Sequence, residues 1–163
     1  MGFRAAVITV SDRGSRGERE DGSGPEIAGM VEAMGMEIVD RRIIPDEKEM
    51  IRQVLMDMSD RADVDLILTT GGTGVSPRDV TPDATLEVID REIPGMAEAM
   101  RRQSSTVTAH AMISRAVAGI RGRTLIINLP GSPKGARENL AVLIPALPHA
   151  IEKIKGDERD CAS

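Results

Sequence analysis

The chain has 163 residues, 40% of them hydrophobic, and a formal net charge of −5, which suits one domain with its own buried core. The negative charge and a single aromatic residue, Phe3, argue against a nucleic-acid partner, because both a basic surface and base-stacking side chains are missing. The single cysteine argues against a disulfide framework or a cysteine metal site. Because the sequence shows neither a signal-peptide pattern nor an apolar run near ~20 residues, we expect a cytoplasmic protein without membrane contact.

Strands and helices alternate along the first half of the chain. The predicted strands cover residues 4–10, 36–44 and 65–68. A polar, glycine-punctuated loop follows the first strand through residue 24, and the first helix then begins at Pro25 and stops at Gly35. The second helix carries a stripe of apolar residues at helical spacing, namely Ile51, Val54, Leu55 and Met58.

The second half begins with two helices, a short one over residues 81–91 and another that Pro94 starts. The inward residues of the latter are Met96, Ala99 and Met100. Residues 112–120 and 123–128 form two β-like runs around a turn and predict a hairpin. The final helix is interrupted by Pro145 and Pro148, so we expect a kink there. Residues 157–163 are expected to be a frayed tail of the same single domain.

A glycine-rich loop, residues 69–79, lies between the strand at 65–68 and the helix at 81. Its three glycines allow the backbone to approach an anion and to turn N–H groups toward it, although a purely structural turn is the alternative. The loop is neither a Walker A motif nor GxGxxG. Because Thr81 is the expected N-cap, Asp79 has no evident structural role. A free carboxylate beside a phosphate-sized loop indicates a Mg²⁺ ligand.

Four predicted strands end in polar or glycine-rich segments, which are residues 11–12, 45–46, 71–79 and 130–133. The carboxyl ends of parallel strands lie on one edge of a sheet, so these segments should enclose one cleft. Asp46 has a second interpretation, because Asp46 and Glu49 resemble a capping box. The cleft offers amides, carboxylates and nearby cations, namely Arg13, Arg78 and Lys134, which suits phosphoryl or nucleotidyl transfer. The predicted fold is a three-layer α/β/α domain with a mostly parallel, mixed sheet.

Four segments together resemble the MogA/MoaB family of molybdenum cofactor biosynthesis. They are Ser11–Arg13, Thr70–Gly74, Pro77–Thr85 and Leu129–Pro133, and the likeness covers residues 4–156. The resemblance implies a molybdopterin adenylyltransferase that uses Mg²⁺ and ATP. It also implies that Asp46 and Asp79 are the catalytic residues and metal ligands.

The resemblance places the pterin-contacting serine at Ser104, with the adjacent Ser105 as an open alternative. Substrate and nucleotide would contact the segments at the strand ends as well, and the complete set of predicted binding residues is Ser11, Asp12, Thr70, Gly71, Gly72, Thr73, Gly74, Ser76, Ser104, Pro130, Gly131 and Ser132. Members of the family are trimers or larger assemblies, so a homotrimer or hexamer is implied, with a molybdenum insertase as a candidate partner. Whether the pathway uses molybdenum or tungsten stays open.

Two other functions remain open at this point. The chain could be a non-catalytic paralogue that binds molybdopterin and hands it on, although both aspartates favour the enzyme. It could also be a competence-damage type domain, which shares the fold and the GGTG loop but acts on other nucleotides. The absence of a second domain after about residue 160 argues against that interpretation.

Overall fold

A computed structural model describes residues 2–161. Its single sheet has six strands in the order β2-β1-β3-β6-β5-β4, and their bounds are β1 Arg4–Val10, β2 Glu37–Ile44, β3 Leu66–Thr70, β4 Arg91–Glu92, β5 Ala118–Arg121 and β6 Thr124–Leu129. The first three strands and β6 run parallel, whereas β5 pairs antiparallel with β6 and with β4. The mixed, mostly parallel sheet is the one that the sequence predicts.

Helices cover both faces of this sheet. The α-helices are α1 Asp12–Ser15, α2 Ser23–Ala33, α3 Lys48–Ser59, α4 Thr81–Val88, α5 Pro94–Ser105, α6 Pro133–Leu143 and α7 Leu147–Ile154. Alternate residues of β1 face opposite layers, as the strand period of two requires. Val7 packs in the core that contains α2, α5, α6 and α7, and Ile8 packs in the core that contains α3 and α4. The three-layer α/β/α prediction is therefore confirmed.

Helix α4 is shorter than predicted and is followed by a strand that the sequence analysis missed. The helix ends at Val88, and the N–H of Asp90 donates to Ile120 O at 2.7 Å. Residues 91–92 then form the edge strand β4 beside β5. Tertiary pairing with the hairpin therefore overrides the helical pattern. In α5 the buried alanine is Ala97, whereas the predicted Ala99 is only half-buried.

The predicted hairpin exists, but its first strand is much shorter than residues 112–120. Strand β5 begins at Ala118, and the preceding residues Ala109–Ile113 form a 3₁₀ helix. Met112 is 76% exposed, so apolar character in this run does not reflect burial in the sheet. The hairpin turn uses Gly122, whose φ of +59° is in the left-handed region that favours glycine.

The C-terminal helix is interrupted where its prolines predict. A 3₁₀ turn, Ile144–Ala146, separates α6 from α7. No regular element follows Ile154 up to residue 161, and residues 162–163 of the predicted frayed tail lie outside the described part. Helix α2 begins at Ser23 rather than Pro25, because Asp21 Oδ1 accepts the N–H of Gly24 at 2.9 Å. Within residues 2–161, no helix is long and apolar enough to span a membrane.

Candidate functional site

The carboxyl ends of the parallel strands meet around a cavity of about 510 Å³, which we call the acidic cavity. Its lining comes from all four predicted polar segments and from the loop before α2. The lining residues are Thr9, Val10, Ser11, Gly14, Arg19, Glu20, Asp21, Gly22, Ser23, Asp46, Thr70, Gly71, Gly72, Asp79, Gly131, Ser132 and Pro133. The structure thus brings Asp46 and Asp79 to one cavity.

Asp46 is held by a reciprocal pair of hydrogen bonds with Asp12. The N–H of Asp12 donates to Asp46 Oδ2 at 2.9 Å, and the N–H of Asp46 donates to Asp12 Oδ1 at 3.0 Å. The capping-box interpretation of Asp46 is wrong, because the N-cap of α3 is Glu47 and no side chain caps that helix. Asp12 itself lies beside the acidic cavity, and its carboxylate accepts two hydrogen bonds from Arg78.

The carboxyl groups of Asp46 and Asp12 have pKa values that are shifted in opposite directions. Burial raises the pKa of Asp46 above its ordinary value, and the nearby charges of Asp12 and Asp79 add to this, although the hydrogen bond from the Asp12 amide opposes it. Hydrogen bonding to Arg78 lowers the pKa of Asp12. Asp46 is therefore a partly buried carboxyl group among other acidic groups, and a cation bound here would stabilise its ionised form.

Gly71 and Gly72 allow the loop to pass close to its neighbours, and both have positive φ, +102° and +68°. A Cβ at Gly71 would lie 2.3 Å from Val10 O, and a Cβ at Gly72 would lie 2.4 Å from Thr81 Oγ1 and 3.1 Å from Asp46 Oδ1. Glycine at position 72 therefore keeps space open beside the Asp46 carboxylate.

The hydrogen bonding of the loop corrects one expectation and supports another. Thr81 is not an N-cap, because its hydroxyl donates to Gly71 O at 2.9 Å and the cap residue is Val80. The N–H of Gly71 donates to Leu129 O, so it cannot serve an anion. Within residues 2–161, the next three N–H groups, those of residues 72–74, have no acceptor. These N–H groups are available to an anionic ligand.

Asp79 does have a structural role, contrary to the expectation from the sequence. Its Oδ2 accepts the N–H of Ser76 at 3.0 Å, and its own N–H donates to Ser76 O at 2.9 Å. This turn leaves Oδ1 of Asp79 without a hydrogen bond to the described residues, so the carboxylate can still contact a ligand. Ser76 is exposed on the turn and is not among the residues that line the acidic cavity.

A second cavity of about 320 Å³ lies on the other side of the glycine loop, and we call it the serine cavity. It lies between the loop, α5, the 3₁₀ helix and α6. Its lining residues are Thr73, Gly74, Arg101, Ser104, Thr108, His110, Ala111, Ile113, Ser114, Pro130, Ser132, Gly135, Glu138 and Asn139. Ser132 lines both cavities, so the two spaces are neighbours.

The two serines left open by the sequence have different environments. Ser104 lines the serine cavity, and its Oγ accepts a hydrogen bond from Asn139 Nδ2 at 2.9 Å. Ser105 is exposed, and its hydroxyl donates to Arg101 O in its own helix. The geometry favours Ser104 as the residue that can contact a ligand.

The predicted binding residues are therefore divided between the two cavities. Thr73, Gly74, Ser104 and Pro130 line the serine cavity. Ser11, Thr70, Gly71, Gly72 and Gly131 line the acidic cavity. Ser132 lines both cavities, and Asp12 and Ser76 line neither. Sequence reasoning missed Asn139 and Arg115. Neither belongs to a recognisable motif, and each acts through partners that are 32 to 41 residues away.

The side chains of the acidic cavity are suited to bind Mg²⁺. Within the described range no group of three His, Cys, Asp or Glu side chains is arranged to hold a metal ion. Mg²⁺ does not require such a group, because it keeps several waters and uses one or two carboxylates together with substrate phosphates. Asp46 and Asp79 supply two carboxylates in the cavity that Gly72, with its free N–H, also lines.

Comparison with known proteins shows that residues 6–149 match the family model described as a probable molybdopterin binding domain. The chain is 41% identical over 153 residues to molybdopterin adenylyltransferase of Helicobacter pylori strain J99, covering 93% of this chain and 87% of that protein. It is 46% identical over 155 residues to gephyrin of Dictyostelium discoideum, covering 89% of this chain but only 21% of gephyrin.

The solved structures agree with the sequence relatives. The chain superposes on the molybdopterin biosynthesis enzyme MoaB of Thermus thermophilus with a TM-score of 0.89 and 52% identity, covering 95% of this chain and 98% of the other.

Proposed function

The chain belongs to the family of molybdopterin binding domains, and from this premise we propose that it is a molybdopterin adenylyltransferase of molybdenum cofactor biosynthesis. The Helicobacter pylori relative, similar over most of both chains, bears this name. Such relatives favour the enzyme over a non-catalytic carrier of the pterin. The competence-damage type domain has no comparable support.

One observation carries the proposal: two cavities lie side by side at the carboxyl edge of the sheet, and one of them contains both aspartates. Adenylyl transfer needs two substrates whose phosphates meet. The acidic cavity suits the triphosphate of ATP, because Gly72, whose N–H has no acceptor among the described residues, lines the same space as the two carboxylates for a metal. The serine cavity suits the pterin, because its surface is mainly apolar and polar side chains such as Ser104 and Asn139 can orient a ligand there.

In the proposed reaction, an oxygen of the terminal phosphate of molybdopterin attacks the α-phosphorus of ATP. A new phosphorus–oxygen bond forms, the bond from the α-phosphorus to the bridging oxygen breaks, and pyrophosphate leaves with that electron pair. Asp46 and Asp79 would hold Mg²⁺, which when bound neutralises charge on the phosphates. The protein contributes mainly by aligning two anionic groups, which repel each other in water.

The chain's own groups have separate tasks in this scheme. The N–H of Gly72 donates to a phosphate oxygen in the acidic cavity, and those of Thr73 and Gly74 donate to phosphate oxygens on the side of the serine cavity. Ser104 with Asn139 orients the pterin. Asp12 keeps Asp46 in place through the reciprocal hydrogen bonds. Ser132 lies where the two substrates approach each other, because it lines both cavities.

The substitution Asp79→Asn tests the proposal. Asparagine keeps an oxygen that can accept the Ser76 N–H, so the turn should survive. The lost charge should lower the turnover of pyrophosphate release by roughly a hundredfold or more, while molybdopterin binding persists. The measurement is pyrophosphate release from Mg-ATP with molybdopterin present.

Two results would contradict this scheme. Near-normal pyrophosphate release by Asp79→Asn would remove Asp79 from the mechanism. A wild-type protein that binds molybdopterin but releases no pyrophosphate would identify the non-catalytic carrier instead. A homotrimer, or a hexamer, and delivery of the product to a molybdenum insertase stay predictions of the family resemblance, and light scattering tests the first.

A further inference from the structure

The position of Asp79 depends on a turn that has few contacts of its own. Residues 75–78 are exposed, and the turn closes on itself through two hydrogen bonds between Ser76 and Asp79. Gly74 is close to the Asp79 carboxylate, since a Cβ there would lie 2.9 Å from Asp79 Oδ2. The side chain of Arg78, in the same turn, reaches Asp12 and Glu47, and contacts from another segment fix the backbone of the turn relative to the cavity.

Arg115 supplies these contacts from the segment between the 3₁₀ helix and β5. Its Nε donates to Gly74 O at 2.8 Å, and its Nη2 donates to Asp79 O at 2.6 Å. Its backbone N–H donates to Thr73 O at 2.8 Å. Arg115 thus contacts the carbonyl oxygens of Gly74 and Asp79, at the two ends of the turn. It also contacts the carbonyl oxygen of Thr73, which precedes the turn.

The guanidinium is itself fixed by helix α4. Asp83, in the first turn of that helix, accepts hydrogen bonds from Nη1 and Nη2 of Arg115 at 3.2 and 3.0 Å. The planar fork of arginine can make this bidentate contact and reach two carbonyls at once, whereas the ammonium of lysine cannot. The turn that carries Asp79 is therefore connected to a packed helix through one side chain.

We propose that Arg115 is a positioning residue, which sets the place of Asp79 in the acidic cavity through the main chain of the turn. The inference rests on the proposed adenylyl transfer for its effect on rate. Arg115 lines neither cavity, so it acts through Asp79 and not on a substrate. Its neighbour Ser114 lines the serine cavity, so the segment also borders the space assigned to the pterin.

The experiment compares Arg115→Gln and Arg115→Lys with a matched control, Arg121→Gln. Arg121 Nη1 donates to Val88 O at 2.9 Å, so it binds the opposite end of the same helix and lies away from both cavities. Arg115→Gln should lower kcat by roughly tenfold to a hundredfold, because small displacements of catalytic groups have effects of this size. The KM for molybdopterin should change little, and Arg115→Lys should recover only part of the loss.

A second readout does not depend on catalysis. Hydrogen exchange at the amides of Ser76 and Asp79 should become faster in Arg115→Gln than in Arg121→Gln, because the backbone of the turn loses its hydrogen bonds to the Arg115 side chain. If Arg115→Gln folds poorly, Asp83→Asn is the alternative, since it keeps Arg115 but weakens the bidentate contact that fixes the guanidinium. In Asp83→Asn, hydrogen exchange at the amides of Ser76 and Asp79 should also become faster.

The outcomes separate this inference from the proposed function. Unchanged exchange at the turn in both Arg115→Gln and Asp83→Asn would overturn the positioning role, whatever the enzyme does. A loss of kcat no larger than that of Arg121→Gln at equal stability would overturn it too. If the wild-type protein releases no pyrophosphate, the proposed function fails, and the exchange experiment still decides whether Arg115 positions the turn.

Discussion

At the scale of single residues, the glycine loop shows how backbone freedom and side-chain chemistry depend on each other. Gly72 leaves room for two groups, the Thr81 hydroxyl and the Asp46 carboxylate. The Thr81 hydroxyl is needed because it satisfies the carbonyl of Gly71, which is buried. A side chain at position 72 would therefore affect both the support of the loop and the carboxylate proposed to bind the metal.

The substitution Gly72→Ala should destabilise the protein by about 1–3 kcal/mol, since its φ of +68° is unfavourable for alanine and its Cβ would displace Thr81. The matched control is Gly29→Ala in helix α2, where a Cβ would meet no atom within 4 Å. The control should stabilise the protein by about 0.5–1 kcal/mol, because alanine restricts the unfolded chain and favours helix. Urea unfolding of both variants measures the difference, and equal stability of the two would contradict the account of the loop.

At the scale of elements, the sequence predicted most strands and helices because their patterns are local. The four polar segments at the strand ends could be assigned to one edge from parallel pairing alone, and the structure brings them together. The errors lie where distant contacts decide. Residues 91–92 become a strand because the hairpin offers a partner, and the role of Thr81 depends on a carbonyl ten residues away.

Strand β2, at the edge of the sheet, is tied to the segment after α3 by a partly buried ion pair. Asp40 Oδ2 accepts from Arg61 Nη1 at 2.8 Å and from Arg42 Nη2 at 3.0 Å. Burial alone would raise the pKa of Asp40, but the hydrogen bonds and charges of the two arginines outweigh it, so the pKa lies below its ordinary value. The folded state thus favours the ionised carboxylate.

This shift predicts a pH dependence of stability. Because the folded pKa of Asp40 is lower than the unfolded value of about 3.9, its contribution is fully present above about pH 4 and is lost as pH falls through the folded pKa. Asp40→Asn should therefore be less stable than wild type by on the order of 1 kcal/mol at pH 7, with a gap that narrows below pH 4. Urea unfolding from pH 3 to 7 measures it. Asp57→Asn is the control, since Asp57 accepts from the neutral Gln53, and a constant gap for Asp40→Asn would contradict the prediction.

At the scale of the whole molecule, the glycine loop divides the site into two compartments. Residues 70–72 line the acidic cavity and residues 73–74 line the serine cavity, so one loop is the wall between them. Sequence reasoning predicted a single cleft, because it could identify the edge of the sheet but not the position of α5 and α6. Those helices close the second space, and their mutual packing depends on side chains such as Asn139, which is buried and contacts Ser104.

Separate compartments predict that both substrates bind at the same time. Titration calorimetry with molybdopterin should give one site per chain whether or not a non-hydrolysable ATP analogue and Mg²⁺ already saturate the protein. Competition between the two ligands would contradict the division into compartments, since one cavity would then hold both.

The substitution Ser104→Ala should weaken molybdopterin binding about tenfold, the effect of one lost hydrogen bond, without affecting nucleotide binding. The substitution of its exposed neighbour, Ser105→Ala, should affect the binding of neither ligand. If Ser104→Ala weakened the binding of molybdopterin and of the nucleotide equally, the glycine loop would not separate two binding sites.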